Sequence, residues 1–265
     1  MLKNKTIPFD GEIIDNLCGL YSHFDKLPET VFCNNEDVTY CKSKLPFPAF
    51  NCVINTNLTS ESANSKVEDI IGCFSQLNLP FCWNVSRSSL PVGLDNILKN
   101  KGFVLADTQS GMSMNILGYR KSERQTNLEI NVVSAREELD LWATTFQQGF
   151  EIPEFVSQAF LEIYRTFGFE PHSKIRCFIG FYNNKPVCTA ALFFTPKSAG
   201  IYSMSTIPDF RRMGFGQAIA EYILEYAAKL GNDKAVLFAT DAGKRIYKKL
   251  GFVENDVSDI YLYNK

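Results

Sequence analysis

The sequence predicts an α/β (α+β) protein built from two similar units in tandem, and three observations support this prediction. Its 265 residues suffice for one large domain or two small ones, because single hydrophobic cores usually stop growing near this length. An apolar fraction of 45% and an aromatic fraction of 13% provide globular cores and exclude a largely disordered chain. The third observation is an order of elements that occurs once in each half, which favours two copies of one unit.

The repeated order is strand, helix, Gly-Phe and strand. A glycine just past a helix can take the left-handed conformation that ends it, and the phenylalanine then packs back on the core. The polar stretch 120–127 is the predicted linker between units 1–125 and 126–265, and two unrelated α/β pieces are the alternative. The repeated pieces lie at 81–85, 90–98, Gly102-Phe103 and 112–116 in the first half, and at 235–239, 243–250, Gly251-Phe252 and 260–263 in the second.

Charge and cysteine usage limit the partners and the compartment. A net charge of −2 gives no excess that would draw the chain onto nucleic acid or an anionic membrane, so we expect neither as a partner. The first residues lack the apolar stretch of a secretory signal, and no run approaches the length of a membrane span, which predicts a cytoplasmic protein. The eight cysteines lack the close paired spacings of a zinc site or a disulfide framework, so we expect reduced thiols and no metal site.

The second half has a regular order of elements. The turn sequence Asn183-Asn184-Lys185-Pro186 predicts a β-hairpin between the two strands that flank it. Apolar periodicity predicts a strand, two helices, the two strands of this hairpin and one more strand at 128–133, 135–148, 154–166, 175–182, 187–194 and 200–207.

A glycine-rich loop, residues 208–217, follows the last of these strands and leads into a helix. The N-terminus of a helix presents unpaired backbone N–H groups and the positive end of the helix dipole, which together favour a phosphate or pyrophosphate. Gly214 and Gly216 lack the β-carbons that would hold an anion away. The predicted apolar face of the helix is Ile219, Ile223, Ala227 and Leu230.

What the loop lacks narrows the identity of the phosphate ligand. No Lys-Ser/Thr pair follows the glycines, which excludes a Walker loop. Ile219 stands where a dinucleotide fingerprint has a third glycine or alanine, so ATP and NAD are both poor candidates. A glycine pair that only permits a tight turn is the alternative.

The pattern Arg211-x-x-Gly214-x-Gly216 resembles the Q/R-x-x-G-x-G/A motif of the GNAT (Gcn5-related N-acetyltransferase) superfamily. The resemblance covers the half of the chain from Thr126 onward and implies two GNAT-like domains, each a mixed, mostly antiparallel twisted sheet flanked by helices. In this family the motif binds the pyrophosphate of acetyl-CoA, the acyl donor, and the preceding strand pairs with the pantetheine arm. The cofactor-binding residues implied here are Met204, Ser205, Thr206, Arg211, Arg212, Met213, Gly214, Phe215, Gly216, Gln217 and Thr240.

The resemblance also implies catalytic roles. Tyr247 stands where the family often has a tyrosine that serves as general acid, and its ordinary pKa of about 10 keeps the phenol protonated at neutral pH. The backbone N–H of Met204 would polarise the thioester carbonyl if the strand bulges there as in the family. A half-buried aromatic that packs its helix on the sheet is the alternative role of Tyr247.

The chain departs from the family pattern at two places. Residues 201–207 contain no Asp or Glu, where many relatives place the carboxylate that acts as general base. Glu151 and Glu154, between the first two helices of this half, are the nearest candidates, with solvated or helix-capping charges as the alternative. Thr240 stands where many relatives carry an asparagine that contacts the cofactor, although threonine can still donate a hydrogen bond.

The first half lacks the loop altogether. Its strand at 50–55 runs through 57–62 into a helix at 67–74 without Arg-x-x-Gly-x-Gly. Side chains at every loop position, and Glu61 in particular, should repel a pyrophosphate. The first half is therefore predicted to be a degenerate GNAT-like domain that does not bind acetyl-CoA.

These features predict an enzyme that transfers an acetyl group directly from acetyl-CoA to a primary amine of a small molecule, peptide or protein. A non-catalytic acyl-CoA-binding sensor or scaffold is the alternative, supported by the missing strand carboxylate. A third hypothesis is that the chain consists of two structural domains that bind only a protein partner. It requires that the glycine loop binds no phosphate ligand. The acceptor, the length of the acyl chain and the oligomeric state are left open.

Overall fold

The computed structural model describes residues 11–122 and 126–263. Within these residues the chain divides into two compact units. The second unit contains Ser113–Leu237 and Ile246–Phe252, and the first contains the residues up to Met112, Phe238–Arg245 and the residues from Val253 onward. This division differs from the linear one predicted at 125/126, because the last strand of the chain pairs in the first unit. Residues 123–125 of the predicted linker lie outside the described part.

The described chain contains helices and strands throughout its length. The first half contains α1 (Glu12–Tyr21), β1 (Val31–Asn34), β2 (Val38–Lys42), β3 (Cys52–Thr56), α2 (Ala63–Ser75), β4 (Phe81–Ser86), α3 (Leu94–Asn100) and β5 (Val104–Asn115). The second half contains β6 (Glu129–Val132), α4 (Arg136–Phe150), α5 (Glu154–Arg165), β7 (Ile175–Tyr182), β8 (Lys185–Phe194), β9 (Ala199–Thr206), α6 (Phe215–Lys229), β10 (Lys234–Ala239), α7 (Asp241–Leu250) and β11 (Val253–Tyr263).

The sheet of the first unit has the strand order β1-β2-β3-β4-β11-β5. Neighbours β1 and β2, β2 and β3, and β4 and β11 are antiparallel, whereas β3 and β4 are parallel. The strand beside β4 is therefore β11, from the end of the chain, with Tyr261 opposite Trp83. Strand β5, which follows α3 in sequence, does not pair with β4 and instead lies on the other side of β11.

The two Gly-Phe pairs end their helices as the sequence predicts. Gly102 has a φ of +96° and Gly251 a φ of +104°, conformations that a residue with a β-carbon rarely adopts. The phenylalanines that follow, Phe103 and Phe252, are buried. In the first unit Phe103 lies edge-on to Phe81, with ring centroids 5.4 Å apart, so the pair joins α3 to the core.

Helix α3 starts four residues later than predicted. The predicted helix began at residue 90, but the Leu90 backbone is extended and forms a parallel bridge with Asn57. Gly93, with a φ of +86°, then precedes the first helical residue, Leu94. A backbone already bonded to a strand cannot also enter a helix, which explains the shift.

The sheet of the second unit contains the strand order β10-β9-β8-β7-β6, antiparallel except for the parallel pair of β9 and β10. The hairpin between β7 and β8 is confirmed. Its two turn residues, Asn183 and Asn184, have φ values of +49° and +61°, as a tight hairpin turn requires. Trp142 on α4 fixes this helix to the sheet through a hydrogen bond of 3.1 Å from its indole N–H to the Ala190 carbonyl.

The helix after the glycine loop, α6, is amphipathic, as predicted. Ile219, Ile223 and Ala227 are fully buried. Leu230 was wrongly placed on this face: α6 ends at Lys229, and the Leu230 side chain is 51% exposed. The buried face therefore covers three turns of the helix and positions its N-terminus at the end of β9.

Candidate functional site

Strand β9 contains a β-bulge beside the glycine loop. The pairing with β8 shifts between Thr189 and Ala191, so that Ser203 and Met204 together stand opposite Ala190. Ser203 has a φ of +49°, which costs a residue with a β-carbon about 1 kcal/mol. The bulge on which the predicted role of the Met204 amide depends is therefore present.

Beyond its first residues, β9 separates from β10. The registered pairs between these strands are Ala199 with Ala235 and Gly200 with Val236. Residues 202–206 of β9, which include the predicted contacts Met204, Ser205 and Thr206, are partly exposed. An open strand edge of this kind offers backbone N–H and C=O groups to an extended ligand.

The glycine-rich loop closes tightly onto the start of α6. Gly214, the residue before the helix, has a φ of +87°, and Arg212 has a φ of +66°. A β-carbon on Gly216 would lie 3.2 Å from the Ile246 Cδ1 atom, so the glycine allows close packing there. The first hydrogen bond between this loop and the helix runs from the Ala218 N–H to the Gly214 carbonyl at 3.0 Å.

Arg211 joins three parts of the second unit. Its Nε–H donates to the Thr206 carbonyl at 3.1 Å, at the end of β9. Its Nη2 donates to the Gly149 carbonyl at 2.9 Å and to the Glu151 carboxylate at 3.2 Å, both at the end of α4. The predicted cofactor residue Arg211 and the predicted base Glu151 are thus an ion pair with each other, with side chains 47% and 66% exposed.

The C-terminal end of α4 lies directly against the bulged strand. A β-carbon on Gly149 would lie 2.2 Å from the Ser205 hydroxyl oxygen and 2.7 Å from the Ser205 Cβ. Glu151 follows as the helix cap, with a φ of +56°. Only a glycine permits this approach, which sets the distance between the α4–α5 connection and β9.

Tyr247, the predicted general acid, faces the bulge. Its hydroxyl donates a hydrogen bond of 3.3 Å to the Sδ atom of Met204. The Tyr247 side chain is buried, and this burial raises the pKa of its phenol well above the ordinary value. The phenol therefore carries its proton throughout the neutral and mildly alkaline range. Its ring also packs edge-on against Phe252, so the packing role considered above is present together with the hydrogen bond.

The remaining predicted cofactor residues differ in what their side chains do. Phe215 is buried with its ring 5.1 Å from Tyr182, so only its backbone is available to a ligand. The Gln217 amide donates to Glu221 at 2.7 Å, one turn along α6, and Met213 is 46% exposed. Thr240 lies in the first compact unit, where its hydroxyl accepts a hydrogen bond of 3.3 Å from the Gly243 N–H. Its contact with the cofactor stays a prediction.

In the first unit the corresponding strand edge is filled by the chain itself. The parallel strands β3 and β4 pair at Cys52 with Cys82 and at Val53 with Trp83, and then separate. Leu90 occupies the gap: its N–H donates to the Thr56 carbonyl at 2.9 Å, and its carbonyl accepts from the Leu58 N–H at 3.2 Å.

Helix α2 of the first unit also has an anionic group at its N-terminus. The backbone N–H of Glu61 and the hydroxyl of Thr59 lower the pKa of the Glu61 carboxyl. Its negative charge and the Leu90 segment both disfavour a pyrophosphate beside β3.

The sequence did not indicate two side chains that contact the bulge from α5 and from β8. Tyr164 on α5 lies with its hydroxyl 3.0 Å from the Ser203 hydroxyl. The Thr189 hydroxyl donates to the Ser203 carbonyl at 3.0 Å. No motif marks these residues, since each reads as an ordinary core position of its helix or strand.

Two absences hold for the described residues. Residues 11–122 and 126–263 contain no group of His, Cys, Asp and Glu side chains that could hold a metal ion. Among the helices of the same ranges, none combines the length and apolar character of a membrane span.

Comparisons with known proteins agree on the fold. Residues 137–252 match the family model described as acetyltransferase (GNAT) family. No protein of curated function matches the sequence. A GCN5-related N-acetyltransferase from Kribbella flavida superposes with a TM-score of 0.74 at 15% identity, covering 98% of this chain and 97% of that one.

Two further solved structures are similar. A GCN5-related N-acetyltransferase from Sphaerobacter thermophilus has a TM-score of 0.65 at 10% identity, covering 86% of this chain and 81% of that one. A tandem GNAT protein from the clavulanic acid biosynthesis pathway has a TM-score of 0.63 at 8% identity, covering 96% and 95%. At such identities a likeness shows the fold alone. The chain therefore has the fold of these GNAT structures, and its residues 137–252 match the acetyltransferase (GNAT) family model.

Proposed function

We propose that this chain is an acetyl-CoA-dependent N-acetyltransferase that transfers an acetyl group directly to a primary amine of a small molecule, peptide or protein. One observation carries the proposal. The protonated hydroxyl of Tyr247 lies 3.3 Å from the Sδ atom of Met204, a residue of the β9 bulge. A proton donor thus contacts the side chain of the residue whose backbone N–H is proposed to polarise the thioester carbonyl.

The residues present fit acetyl-CoA. The glycines of the loop and the positive end of the α6 dipole suit a pyrophosphate, and the edge of β9 beyond Gly200 suits an extended pantetheine arm. When bound, acetyl-CoA supplies an activated thioester carbonyl and a thiol leaving group. Gly214, with its positive φ before α6, and Gly216 are the loop positions where we expect a β-carbon to oppose this binding.

The chain's own groups supply the rest of the reaction. The Met204 N–H is proposed to donate to the carbonyl oxygen as negative charge develops on it. The neutral amine forms the new C–N bond while the C–S bond breaks, and Tyr247 gives its proton to the departing sulfur. The proton that the amine loses restores the phenol. For Glu151 to accept this proton first, its ion pair with Arg211 must open.

Tyr247→Phe tests the mechanism, because it keeps the ring and removes only the hydroxyl. We expect kcat to fall by roughly 10²-fold or more, while the Kd for CoA, measured by calorimetry, changes little. Because burial raises the pKa of Tyr247, we also expect the parent's kcat to show no alkaline decrease below about pH 10. Tyr261→Phe, a buried tyrosine of β11, is the matched control. Unchanged turnover in Tyr247→Phe would remove the proposed proton donor.

A non-catalytic acyl-CoA-binding sensor is the second candidate function. It is favoured by the absence of Asp and Glu from β9 and by the engagement of Glu151 with Arg211. A screen of amines, amino acids and peptides for release of free CoA thiol separates the two functions. CoA binding without turnover on any acceptor would support the sensor, and neither binding nor turnover would exclude both.

A further inference from the structure

The bulge of β9 adopts a backbone conformation that its own sequence does not favour. Ser203 has a φ of +49°, a region that glycine enters freely and that serine avoids. A conformation of this kind persists only when its surroundings hold it. The groups that hold Ser203 therefore also set the direction of the next amide, that of Met204.

Two hydrogen bonds hold Ser203 from opposite ends of the residue. Its hydroxyl is 3.0 Å from the Tyr164 hydroxyl of α5, and its carbonyl accepts from the Thr189 hydroxyl of β8 at 3.0 Å. Because Thr189 has a single hydroxyl proton, Ser205 must be the donor in its 2.9 Å contact with Thr189. This fixes the residues on both sides of Met204.

The burial of the supporting side chains makes them rigid. Thr189 is fully buried and Tyr164 is 2% exposed. The Tyr164 ring packs against Trp142 and Phe160, with centroids 5.3 Å and 6.0 Å away, so packing fixes where its hydroxyl lies. The ring thus belongs to the core, and the hydroxyl alone reaches the bulge.

We propose that Tyr164 and Thr189 are positioning residues that hold Ser203 in its left-handed conformation and thereby aim the Met204 amide at the thioester carbonyl. This inference rests on the proposed acetyl transfer, and neither residue touches the reacting atoms. It explains why two polar side chains are buried behind a strand of the sheet, where an apolar pair would otherwise pack.

If Tyr164 holds the bulge, a glycine at position 203 should compensate for the loss of its hydroxyl, whereas a purely structural defect should not be compensated. In Tyr164→Phe the ring stays and the hydrogen bond is lost. We expect kcat to fall about 5- to 10-fold, the loss of one neutral hydrogen bond, while the KM for acetyl-CoA stays within about twofold. Adding Ser203→Gly should restore most of kcat, since glycine takes the same φ without support. Ser203→Ala, which keeps the β-carbon, should not restore it.

The control is Tyr226→Phe. Tyr226 lies on α6, and its ring packs edge-on against Phe178 of β7 with the ring centroids 5.1 Å apart. It should leave kcat unchanged. An unchanged kcat in Tyr164→Phe overturns the proposal, and so does a fall that Ser203→Gly fails to reverse.

The failure of the proposed function is recognisable separately, because the parent would then turn over no amine. In that case crystal structures of Tyr164→Phe and Thr189→Val decide. A relaxed Ser203 with the register shift between Thr189 and Ala191 lost in either variant supports the positioning role. A retained positive φ in both overturns it.

Discussion

Gly149 controls how closely α4 approaches the candidate site. In an exposed helix interior, replacing glycine by alanine stabilises the helix by up to about 1 kcal/mol. At Gly149 the added β-carbon would meet the Ser205 side chain at 2.2 Å, and the hydrogen bond of Ser205 to Thr189 opposes its withdrawal. We therefore expect Gly149→Ala to destabilise the protein by about 1 to 3 kcal/mol in urea unfolding and to lower kcat.

Gly72 on α2 is the matched control for this substitution. It also lies within a helix, and a β-carbon there would have nothing within 4 Å. Gly72→Ala should leave stability unchanged or raise it. If both variants gain stability, the space between α4 and β9 accommodates a β-carbon, and Gly149 is not needed for the approach of α4 to β9.

The role of the glycine loop in CoA binding can be tested by comparing two glycines with positive φ, one just before α6 and one just after it. Gly214 precedes the helix with a φ of +87°, and Gly231 follows it with a φ of +88°. Alanine at either position carries a similar backbone cost of about 1 kcal/mol. Only Gly214→Ala alters the proposed pyrophosphate cradle, so we expect its Kd for CoA to rise at least tenfold.

Gly231→Ala should lose a similar amount of thermal stability and keep the parent's Kd, as measured by calorimetry. Equal affinities in the two variants would show that the loop needs its glycine for folding alone. The alternative in which the glycines only permit a tight turn would then hold.

The elements near the site differ in how far the sequence determines them. The order from β6 to α6 follows from apolar periodicity, and the loop at Gly214 follows from a short local pattern. The bulge at Ser203 does not, since serine has no preference for a positive φ and the stabilising hydroxyls come from Tyr164 and Thr189. Such conformations are set by tertiary contacts, which periodicity does not encode.

The same limit applies to the ion pair at the end of α4. The resemblance assigned Arg211 to the cofactor and Glu151 to the general base, and nothing in the sequence links two residues 60 positions apart. Their contact depends on the packing of α4 against β9, which depends in turn on Gly149. Gly149 gives no clear signal of this approach in the sequence, because a glycine near the end of a helix usually marks its termination.

Strand β11, which follows the second half in sequence, belongs to the sheet of the first unit. It pairs with β4 along six residues, from Ser258 with Ser86 to Tyr263 with Phe81. A fragment of residues 126–265 therefore carries β11 without its two neighbouring strands, β4 and β5. We expect this fragment to aggregate, because an unpaired apolar strand edge promotes association.

Size-exclusion chromatography of three samples checks this expectation. Residues 126–265 alone should elute as aggregates, residues 126–252 should be more soluble, and coexpression of 1–125 with 126–265 should restore a defined complex. A monomeric and active 126–265 fragment would show that β11 can fold without β4. The linear division into two domains would then be sufficient.

The pairing of β11 with β4 in the first unit has a consequence for biosynthesis. Translation runs from the N-terminus, so β4 emerges from the ribosome long before Val253–Tyr263 is made. The nascent first half must wait with one strand missing from its sheet, exposed to chaperones and proteases, until residues 253–263 are made. A stop codon after residue 252 should therefore damage the half of the protein that was synthesised first.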